Sequence, residues 1–250
     1  MNLILDLGNT NKKIALVDHP SAGHPYGRIS ALEFHPQISL PLVRQFVHDH
    51  PEISSCILSS VIRHPASLIS FLRRQFPFIE LTHQTPLPIR NTYRTPETLG
   101  KDRLAAAVFG ASVYPGKDVL VINAGTCITC DFVNAEGKYL GGSISPGLEM
   151  RFRALHTFTG KLPLISYKKV NHPIGNNTTD AILSGVILGI VHEIEGVAGY
   201  YREKYPEIKI IFSGGDLIYF DKRLKISIFA VPNCVIYGLH QILRFNVKNI

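Results

Sequence analysis

The feature that most constrains the fold is a strand–turn–strand pattern that occurs once at the start of the chain and again near its middle. The first copy has apolar segments at 2–5 and 14–17, joined through Asp6-Leu7-Gly8-Asn9-Thr10. In the second copy, apolar 119–122 leads through Asn123-Ala124-Gly125-Thr126 into the β-rich segment 128–133. A polar residue, a glycine two positions later and a threonine recur in both turns, which is typical of β-hairpins. The repeat predicts two similar lobes.

Strand-like and helix-like segments alternate around these hairpins, which is typical of an α/β protein. The pattern predicts strands over 54–61, 78–81, 138–144 and 209–212, and helices over 66–75, 99–111, 178–201 and 234–245. The Pro-Gly pair at 115–116 is the natural boundary, because such a pair interrupts both patterns. We therefore expect an N-terminal lobe over 1–114 and a C-terminal lobe over 115–250, each a mixed sheet flanked by helices.

Composition excludes several classes of protein. No stretch has the roughly 18–20 consecutive apolar residues expected of a membrane span, and the first residues lack the order of a signal peptide, so we expect a cytoplasmic protein without a membrane partner. The formal charge is +7, but the basic residues are scattered without interleaved aromatics, so no nucleic-acid partner is expected. Cys127 and Cys130 form a C-x-x-C on a strand, where they would face opposite ways; we interpret them as core residues.

The two turns have the chemistry of phosphate-binding sites. Backbone N–H groups and a threonine hydroxyl can cradle a phosphate, and a glycine lets the backbone approach closely. Asp6 adds a carboxylate suited to a hydrated Mg²⁺ ion carried with a nucleotide, and Lys13 could offset phosphate charge. Either turn alone could be purely structural, because D-x-G-N-T is also good turn chemistry. Its recurrence favours a phosphate-binding function for both hairpins.

Further motifs follow in order and resemble those of the type III pantothenate kinases. They are D-x-G-N-T-x-x-K over 6–13, Y-x-x-P-x-x-L-G-x-D-R over 93–103, G-T-x-x-T-x-D over 125–131, G-G-x-I-x-P-G over 141–147 and S-G-G over 213–215. The resemblance covers most of the chain. It implies two ribonuclease-H-like (actin-like) lobes facing each other across a cleft, as in actin, heat-shock ATPases and sugar kinases. It also implies that ATP phosphorylates pantothenate, the first step of coenzyme A biosynthesis.

The resemblance assigns roles to individual residues. Asp102 corresponds to the family's general base, which accepts the proton of the attacking pantothenate hydroxyl. Arg103 corresponds to the residue that binds the pantothenate carboxylate. The pantothenate-binding set as a whole is Tyr93, Gly100, Lys101, Asp102, Arg103 and Thr178. The ATP-binding set is Asp6, Leu7, Gly8, Asn9, Thr10, Asn11, Lys12, Lys13 and Thr126. Thr179 is the alternative to Thr178 as the substrate contact, and either threonine could cap the helix that begins there.

The implied cofactors and partners are Mg²⁺ with ATP, a monovalent cation such as K⁺ or NH₄⁺, and a second copy of the chain in a homodimer. Asn123 departs from the family pattern, which has an aspartate that helps to hold the monovalent cation. An amide oxygen brings no charge, so we expect weaker cation dependence here. Asp131, further along the same hairpin, is an alternative cation ligand.

A different class of function stays open on the same fold. A non-catalytic regulatory or nucleotide-binding protein could keep both hairpins without transferring phosphate. Asp102 and Arg103 distinguish the two hypotheses, because a protein that has lost catalysis has no need of the base beside its substrate-binding arginine. Their presence favours the enzyme.

Overall fold

The computed structural model describes residues 1–170, 173–220 and 222–247. Their helices are α1 (Leu40–Asp49), α2 (Ala66–Gln75), α3 (Lys101–Val113), α4 (Leu148–Thr157), α5 (Thr178–Lys204), α6 (Leu217–Phe220) and α7 (Cys234–Val247), with a 3₁₀ turn at Pro96–Thr98. Their strands are β1 (Asn2–Leu7), β2 (Lys12–Val17), β3 (Ile29–His35), β4 (Ser55–Ser60), β5 (Phe78–Glu80), β6 (Arg90–Asn91), β7 (Val119–Ala124), β8 (Cys127–Val133), β9 (Lys138–Pro146), β10 (Lys209–Ser213) and β11 (Phe229–Ala230).

The chain forms two compact units. Unit 1 comprises Met1–Pro115, Gly137–Leu140 and the C-terminal segment from Asn233, and unit 2 comprises Gly116–Glu136 and Gly141–Pro232. The first break therefore falls one residue from the predicted lobe boundary. The C-terminal helix α7 lies in unit 1, whereas the sequence placed it in the second lobe. It packs along α3 so closely that a Cβ at Gly238 would overlap the carbonyl oxygen of Ala105.

The sheet of unit 1 has the strand order β3-β2-β1-β4-β5, with β3, β2 and β1 antiparallel and β1, β4 and β5 parallel. Side chains alternate between the faces of a strand, so each face buries its own set. Leu3, Leu5 and Leu7 of β1 form one core with residues of α1 and α2. On the other side, α3 and α7 contact β4. The small residues 105–107 of α3 are fully buried, which allows its close approach to α7.

The sheet of unit 2 runs β11-β10-β7-β8-β9, with β7 and β8 antiparallel and β10 parallel to both β7 and β11. Leu120 and Ile122 of β7 pack in its core with Phe152 of α4 and Ile187 of α5. Both predicted hairpins are present, as β1–β2 and β7–β8, and each unit is a mixed sheet flanked by helices. These features of the predicted fold are confirmed.

Helix α5 is more apolar than the sequence-based expectation allowed. Among the described residues it is the one helix that could cross a bilayer by length and composition. Half of its most apolar window of 18 residues is buried inside the protein. Ile187, Ile190 and Ile194 are completely buried in the core of unit 2. Packing in that core accounts for the apolar character of α5.

Candidate active site

The turn of the first hairpin is held by its own backbone. The N–H of Gly8 donates to the carbonyl of Asn11 at 3.1 Å, and Lys12 Nζ donates to the carbonyl of Asn9 at 2.8 Å. A Cβ at Gly8 would lie 2.9 Å from the Asn11 oxygen, so a larger residue would force this turn open. Asn9, Thr10 and Asn11 are exposed at its tip. The predicted ATP-binding segment is thus a small closed turn whose polar tip faces solvent.

Asp6 sits at the end of β1, between Lys13 of β2 and Ser59 of β4 in the register of the sheet. The pKa of its carboxyl is raised from 3.8 to about 6, chiefly by burial and also by the charge of Asp102, whereas the charge of Lys13 and a hydrogen bond from Ser59 lower it. The Lys13 ammonium also lies 5.8 Å from the centre of the Phe34 ring. The structure therefore brings Asp6 and Asp102, which are far apart in sequence, within electrostatic reach of each other.

Asp102 lies in the first turn of α3, after the N-cap residue Gly100. Its Oδ1 accepts the backbone N–H of Arg103 at 2.9 Å. A Cβ at Gly100 would lie 2.6 Å from the same Oδ1, so glycine leaves room for the carboxylate to turn back over the helix end. The site thus holds a half-buried carboxylate in a defined orientation.

Arg103 and Tyr93 form the neighbouring wall. The Arg103 side chain is 5% exposed, and its guanidinium lies 6.0 Å from the centre of the Tyr93 ring, within the range of a cation–π interaction. The centre of the Tyr93 ring lies 6.1 Å from that of Tyr139, and the backbone N–H of Tyr93 donates to Asn91 Oδ1 at 3.0 Å. Tyr93, Asp102 and Arg103 thus meet at the start of α3, as the sequence motif predicts.

Lys101 lies beside these residues but lines a different space. A cavity of about 250 Å³ is bordered by Lys101 and Leu104 of α3, by the 3₁₀ turn, and by Thr82 and His83. Its lining includes none of Tyr93, Asp102 and Arg103. A substrate contact at Lys101 would therefore be made by its backbone rather than through this cavity.

The turn of the second hairpin makes backbone contacts with other segments of unit 2. The carbonyl of Thr126 accepts the N–H of Gly147 at 3.0 Å, and the carbonyl of Ala124 accepts the N–H of Asp216 at 3.1 Å. A Cβ at Gly147 would overlap the Gly125 carbonyl, and one at Gly214, whose φ is +105°, would overlap that of Ala124. The Thr126 residue itself is exposed. The conformation of the turn is thus fixed by backbone contacts that require glycine on the neighbouring segments.

Asn123 lies at the end of β7, directly opposite Thr129 of β8 and Ser213 of β10. Residues opposite each other in a ladder share a face of the sheet, so an amide and two hydroxyls lie side by side. Thr129 Oγ1 is buried and has no hydrogen-bond partner within the described ranges. Asp131 is completely buried two positions further along β8. The predicted cation position thus has neighbouring oxygen donors.

The start of α5 corrects one sequence-based expectation. Its N-cap is Asn177, whose side chain accepts the N–H of Asp180 at 3.0 Å, rather than Thr178 or Thr179. Thr178 is the first helical residue and is exposed, and Thr179 is half-buried. Both belong to unit 2. The choice between them as a substrate contact stays a prediction.

Two neighbours of the candidate site have no counterpart among the predicted residues. Ser59 reaches Asp6 because β4 lies parallel to β1 with these two residues in register. Its place at the end of a buried strand is the one signal that the sequence offers. Tyr139 packs on Tyr93 because the first residues of β9 pair with β6 within unit 1. Nothing in the local sequence indicates that pairing.

The family model of the type III pantothenate kinases matches residues 2–199. The chain belongs to the type III pantothenate kinase family. The matched range contains both hairpins, the start of α3 and Thr178.

Curated relatives agree with the family model. A type III pantothenate kinase from Phocaeicola vulgatus is 43% identical over 251 residues, which cover 99% of this chain and 100% of that protein. Because the match runs the full length of both chains, it concerns the whole type III pantothenate kinase and not a shared domain.

Solved structures agree on the fold. A Baf family protein from Campylobacter jejuni has a TM-score of 0.55 at 22% identity, covering 98% of this chain and 99% of that one. A glucokinase from an Antarctic psychrotroph has a TM-score of 0.54 at 13% identity, covering 98% of each chain. Identities this low speak for the fold alone. This type III pantothenate kinase has the actin-like, sugar-kinase fold that the family resemblance implies.

Proposed function

We propose that this chain transfers the γ-phosphate of ATP to the hydroxyl of pantothenate, with Asp102 as the general base, and so catalyses the first step of coenzyme A biosynthesis. One observation carries the proposal. In a chain of this family, the Tyr93–Arg103 motif is intact and folds so that Asp102, Arg103 and Tyr93 meet, with Asp6 of the first hairpin within electrostatic reach.

The geometry of Asp102 suits a general base. Its Oδ1 is fixed by the Arg103 N–H, and the second carboxylate oxygen would accept the proton of the substrate hydroxyl. As that proton moves, the hydroxyl oxygen bonds to the γ-phosphorus and the bond from phosphorus to the ADP oxygen breaks. Transfer through a loose transition state depends more on position than on strong basicity, so a carboxylate is sufficient.

The substrate would be held by charge and by an aromatic wall. The Arg103 guanidinium can pair bidentately with the pantothenate carboxylate, and Tyr93 would flank the pantothenate chain. The backbone of Gly100 and Lys101 would bind the substrate beside the base. Thr178, or Thr179 in its place, is the further proposed contact.

ATP phosphate would bind at the hairpin turns. The first turn offers Gly8–Lys13 with an exposed polar tip, and the second offers the exposed Thr126. Asp6 fits a Mg²⁺ ion, because burial and the nearby charge of Asp102 both raise the pKa of its carboxyl, and a bound cation would offset both effects. When bound with ATP, Mg²⁺ would neutralise charge on the phosphates.

The second hairpin is a weaker candidate for a monovalent-cation site than the first hairpin is for a Mg²⁺ site. The oxygen donors of Asn123, Thr129 and Ser213 lie side by side, and the unsatisfied Thr129 hydroxyl oxygen is available as a ligand. Asn123 brings no charge to this set. We propose that K⁺ or NH₄⁺ binds here weakly. Asp131 is the nearest carboxylate along β8.

The remaining proposals concern the cell and the assembly. We propose a soluble cytoplasmic homodimer that acts on small molecules, without nucleic-acid or membrane partners. The scattered basic residues argue against a nucleic-acid partner, and the burial of α5 in its own unit argues against a membrane partner.

The deciding experiment measures ADP release from Mg²⁺ and ATP, with and without pantothenate, for the unmodified chain and for Asp102→Asn. We expect pantothenate-dependent ADP release whose kcat falls by about 10²- to 10⁴-fold in the variant, because the proton acceptor is removed. The Tm should change little, since an amide can still accept the Arg103 N–H.

Glu97→Gln is the matched control, because it removes an exposed carboxylate five residues before Asp102 and should leave kcat unchanged. Pantothenate-dependent ADP release that survives Asp102→Asn would contradict the role of the base. No pantothenate-dependent ADP release under any cation would favour the regulatory or nucleotide-binding alternative.

A further inference from the structure

Unit 2 contains a polar cluster that the proposed reaction does not use. Glu193 of α5, Arg151 of α4 and Ser145 of β9 form what we call the Glu193 cluster. Glu193 Oε1 accepts the Ser145 hydroxyl and Oε2 accepts from the Arg151 guanidinium. Arg151 Nε also donates to the Pro146 carbonyl at 2.8 Å. Both carboxylate oxygens of Glu193 are thus engaged by the segment that ends β9 and begins α4.

The ion pair of the Glu193 cluster is partly buried, so it can contribute to the stability of this region. The side chains of Arg151 and Glu193 are 21% and 32% exposed, so their ion pair is less screened by solvent than a fully exposed pair. Hydrogen bonds between ionised partners are also stronger than those between neutral ones. The neighbours Ile190 and Ile194 are completely buried, which fixes this stretch of α5. Glu193 is therefore a fixed anchor for the Pro146–Gly147 corner.

That corner supports the turn of the second hairpin. The Gly147 N–H donates to the Thr126 carbonyl at 3.0 Å, and no space remains for a Cβ between Gly147 and the Gly125 carbonyl. A shift of the corner must therefore move or loosen the Gly125–Thr126 turn. The contacts run without a gap from the Glu193 carboxylate through Arg151 and Pro146 to Gly147, and from there to Thr126.

We infer that Glu193 is a positioning residue for nucleotide binding: through Arg151 and Ser145 it holds the Pro146–Gly147 corner against the Gly125–Thr126 turn. The inference rests on the proposed role of this turn in binding ATP phosphate. Glu193 does not touch the nucleotide itself. Its negative charge matters, because a neutral amide at this position would hold the Arg151 guanidinium less strongly.

The test compares Glu193→Gln with Glu195→Gln. Glu195 is on the same helix, and its Oε1 accepts the N–H of Lys225 at 2.7 Å, away from the corner. The dissociation constant of the non-hydrolysable ATP analogue AMP-PNP with Mg²⁺ is measured by calorimetry, without pantothenate. We expect a rise of about 3- to 30-fold for Glu193→Gln, because the turn loses its fixed geometry. Glu195→Gln should change the constant by less than about twofold.

Two further measurements separate positioning from general destabilisation. In steady-state assays, Glu193→Gln should raise the KM for ATP much more than the KM for pantothenate. Arg151→Met should have the same effect. The double variant should have no higher a KM for ATP than either single variant, because both changes break the same ion pair. Arg151→Lys keeps the positive charge but not the planar guanidinium, so it should bind ATP more tightly than Arg151→Met and less tightly than the unmodified chain.

The outcomes distinguish this inference from the proposed function. Unchanged AMP-PNP affinity, additive losses in the double variant, or equal effects of Glu193→Gln and Glu195→Gln would each overturn the positioning role. Failure of the unmodified chain to bind AMP-PNP would overturn both proposals. Intact AMP-PNP binding without pantothenate-dependent ADP release would overturn the proposed function and leave the positioning role standing.

Discussion

The hairpins that open the two units look alike in sequence but are held in different ways. The first turn closes on itself through the hydrogen bond from Gly8 to Asn11 and through Lys12. The second turn also has an internal hydrogen bond, from the Gly125 N–H to the Cys127 carbonyl at 3.0 Å, but it makes further backbone contacts with Gly147 and Asp216, about 20 and 90 residues further along the chain. A short polar motif is therefore sufficient for the first turn, whereas the second depends on the correct folding of the rest of unit 2.

The hairpins also differ in charge. The first contains Asp6 and Lys13 and lies within electrostatic reach of Asp102. The second has the neutral Asn123 at the position that corresponds to Asp6. Asp216, whose N–H donates to the carbonyl of Ala124, has a raised pKa because of burial and the charge of Glu149. The first hairpin thus carries charged side chains beside its turn, whereas the position that corresponds to Asp6 in the second is neutral.

The largest expected effect tests the dependence of the second turn on its neighbours. Gly147→Ala should lower the free energy of unfolding by about 2–4 kcal/mol, because the new Cβ would overlap the Gly125 carbonyl. Gly125→Ala, in the turn itself, should cost less than about 1 kcal/mol, because a Cβ there meets no described atom within 4 Å. Urea denaturation of both variants measures the difference. Equal losses would mean that the second turn is as self-contained as the first.

The next effect follows from the charge of the first hairpin. The pKa of Asp6 is raised from 3.8 to about 6, so between these values the folded protein keeps a proton that the unfolded chain has released. The contribution of this carboxyl to stability is therefore fully present below about pH 4 and is lost as the pH rises through about 6. Asp6→Asn should be more stable than the unmodified chain by about 1–3 kcal/mol at pH 8, and the difference should shrink towards pH 4.

The measurement is the free energy of unfolding in urea between pH 4 and pH 8 for both proteins. Asp102→Asn is the informative control, because it removes the charge that raises the pKa of Asp6 and should weaken the pH dependence without abolishing it. If the difference in free energy of unfolding between Asp6→Asn and the unmodified chain does not vary with pH, then folding does not raise the pKa of Asp6. Asn123 carries no charge, so Asn123→Ala should give no comparable pH dependence.

Local patterns were sufficient to predict much of the fold. Helix α2 spans the predicted residues 66–75, and both hairpins lie where their turn residues placed them. Helix α4 was not predicted, because it buries few residues, chiefly Leu148 and Phe152, and so lacks a clear period. The unit to which α7 belongs could not be predicted either, since its packing on α3 and β4 joins segments that lie more than 100 residues apart in the chain.

The same limit applies to the candidate site. The contiguous motif that ends in Asp102-Arg103 predicts residues that the structure does bring together, because helix α3 and the preceding loop position them locally. Ser59 and Tyr139 come from other strands, and strand register decides their place. The Glu193 cluster joins α5, α4 and β9, and its members share no motif.

The smallest expected effect tests whether charge can be added to the second hairpin. Asn123→Asp would place a carboxylate beside Thr129 and Ser213, as Asp6 stands beside Lys13 and Ser59 in the first. The concentration of K⁺ that gives half-maximal ADP release should fall by about 3- to 10-fold, because a carboxylate binds a cation more tightly than an amide does. Asn134→Asp, which adds the same charge after the far end of β8, should leave it unchanged. If the unmodified chain already needs little K⁺ and Asn123→Asp has no effect, then Thr129, Asp131 and Ser213 hold the cation without residue 123. The carboxylate of the second hairpin would then be Asp131, which lies two positions along β8 from Thr129, the residue opposite Asn123.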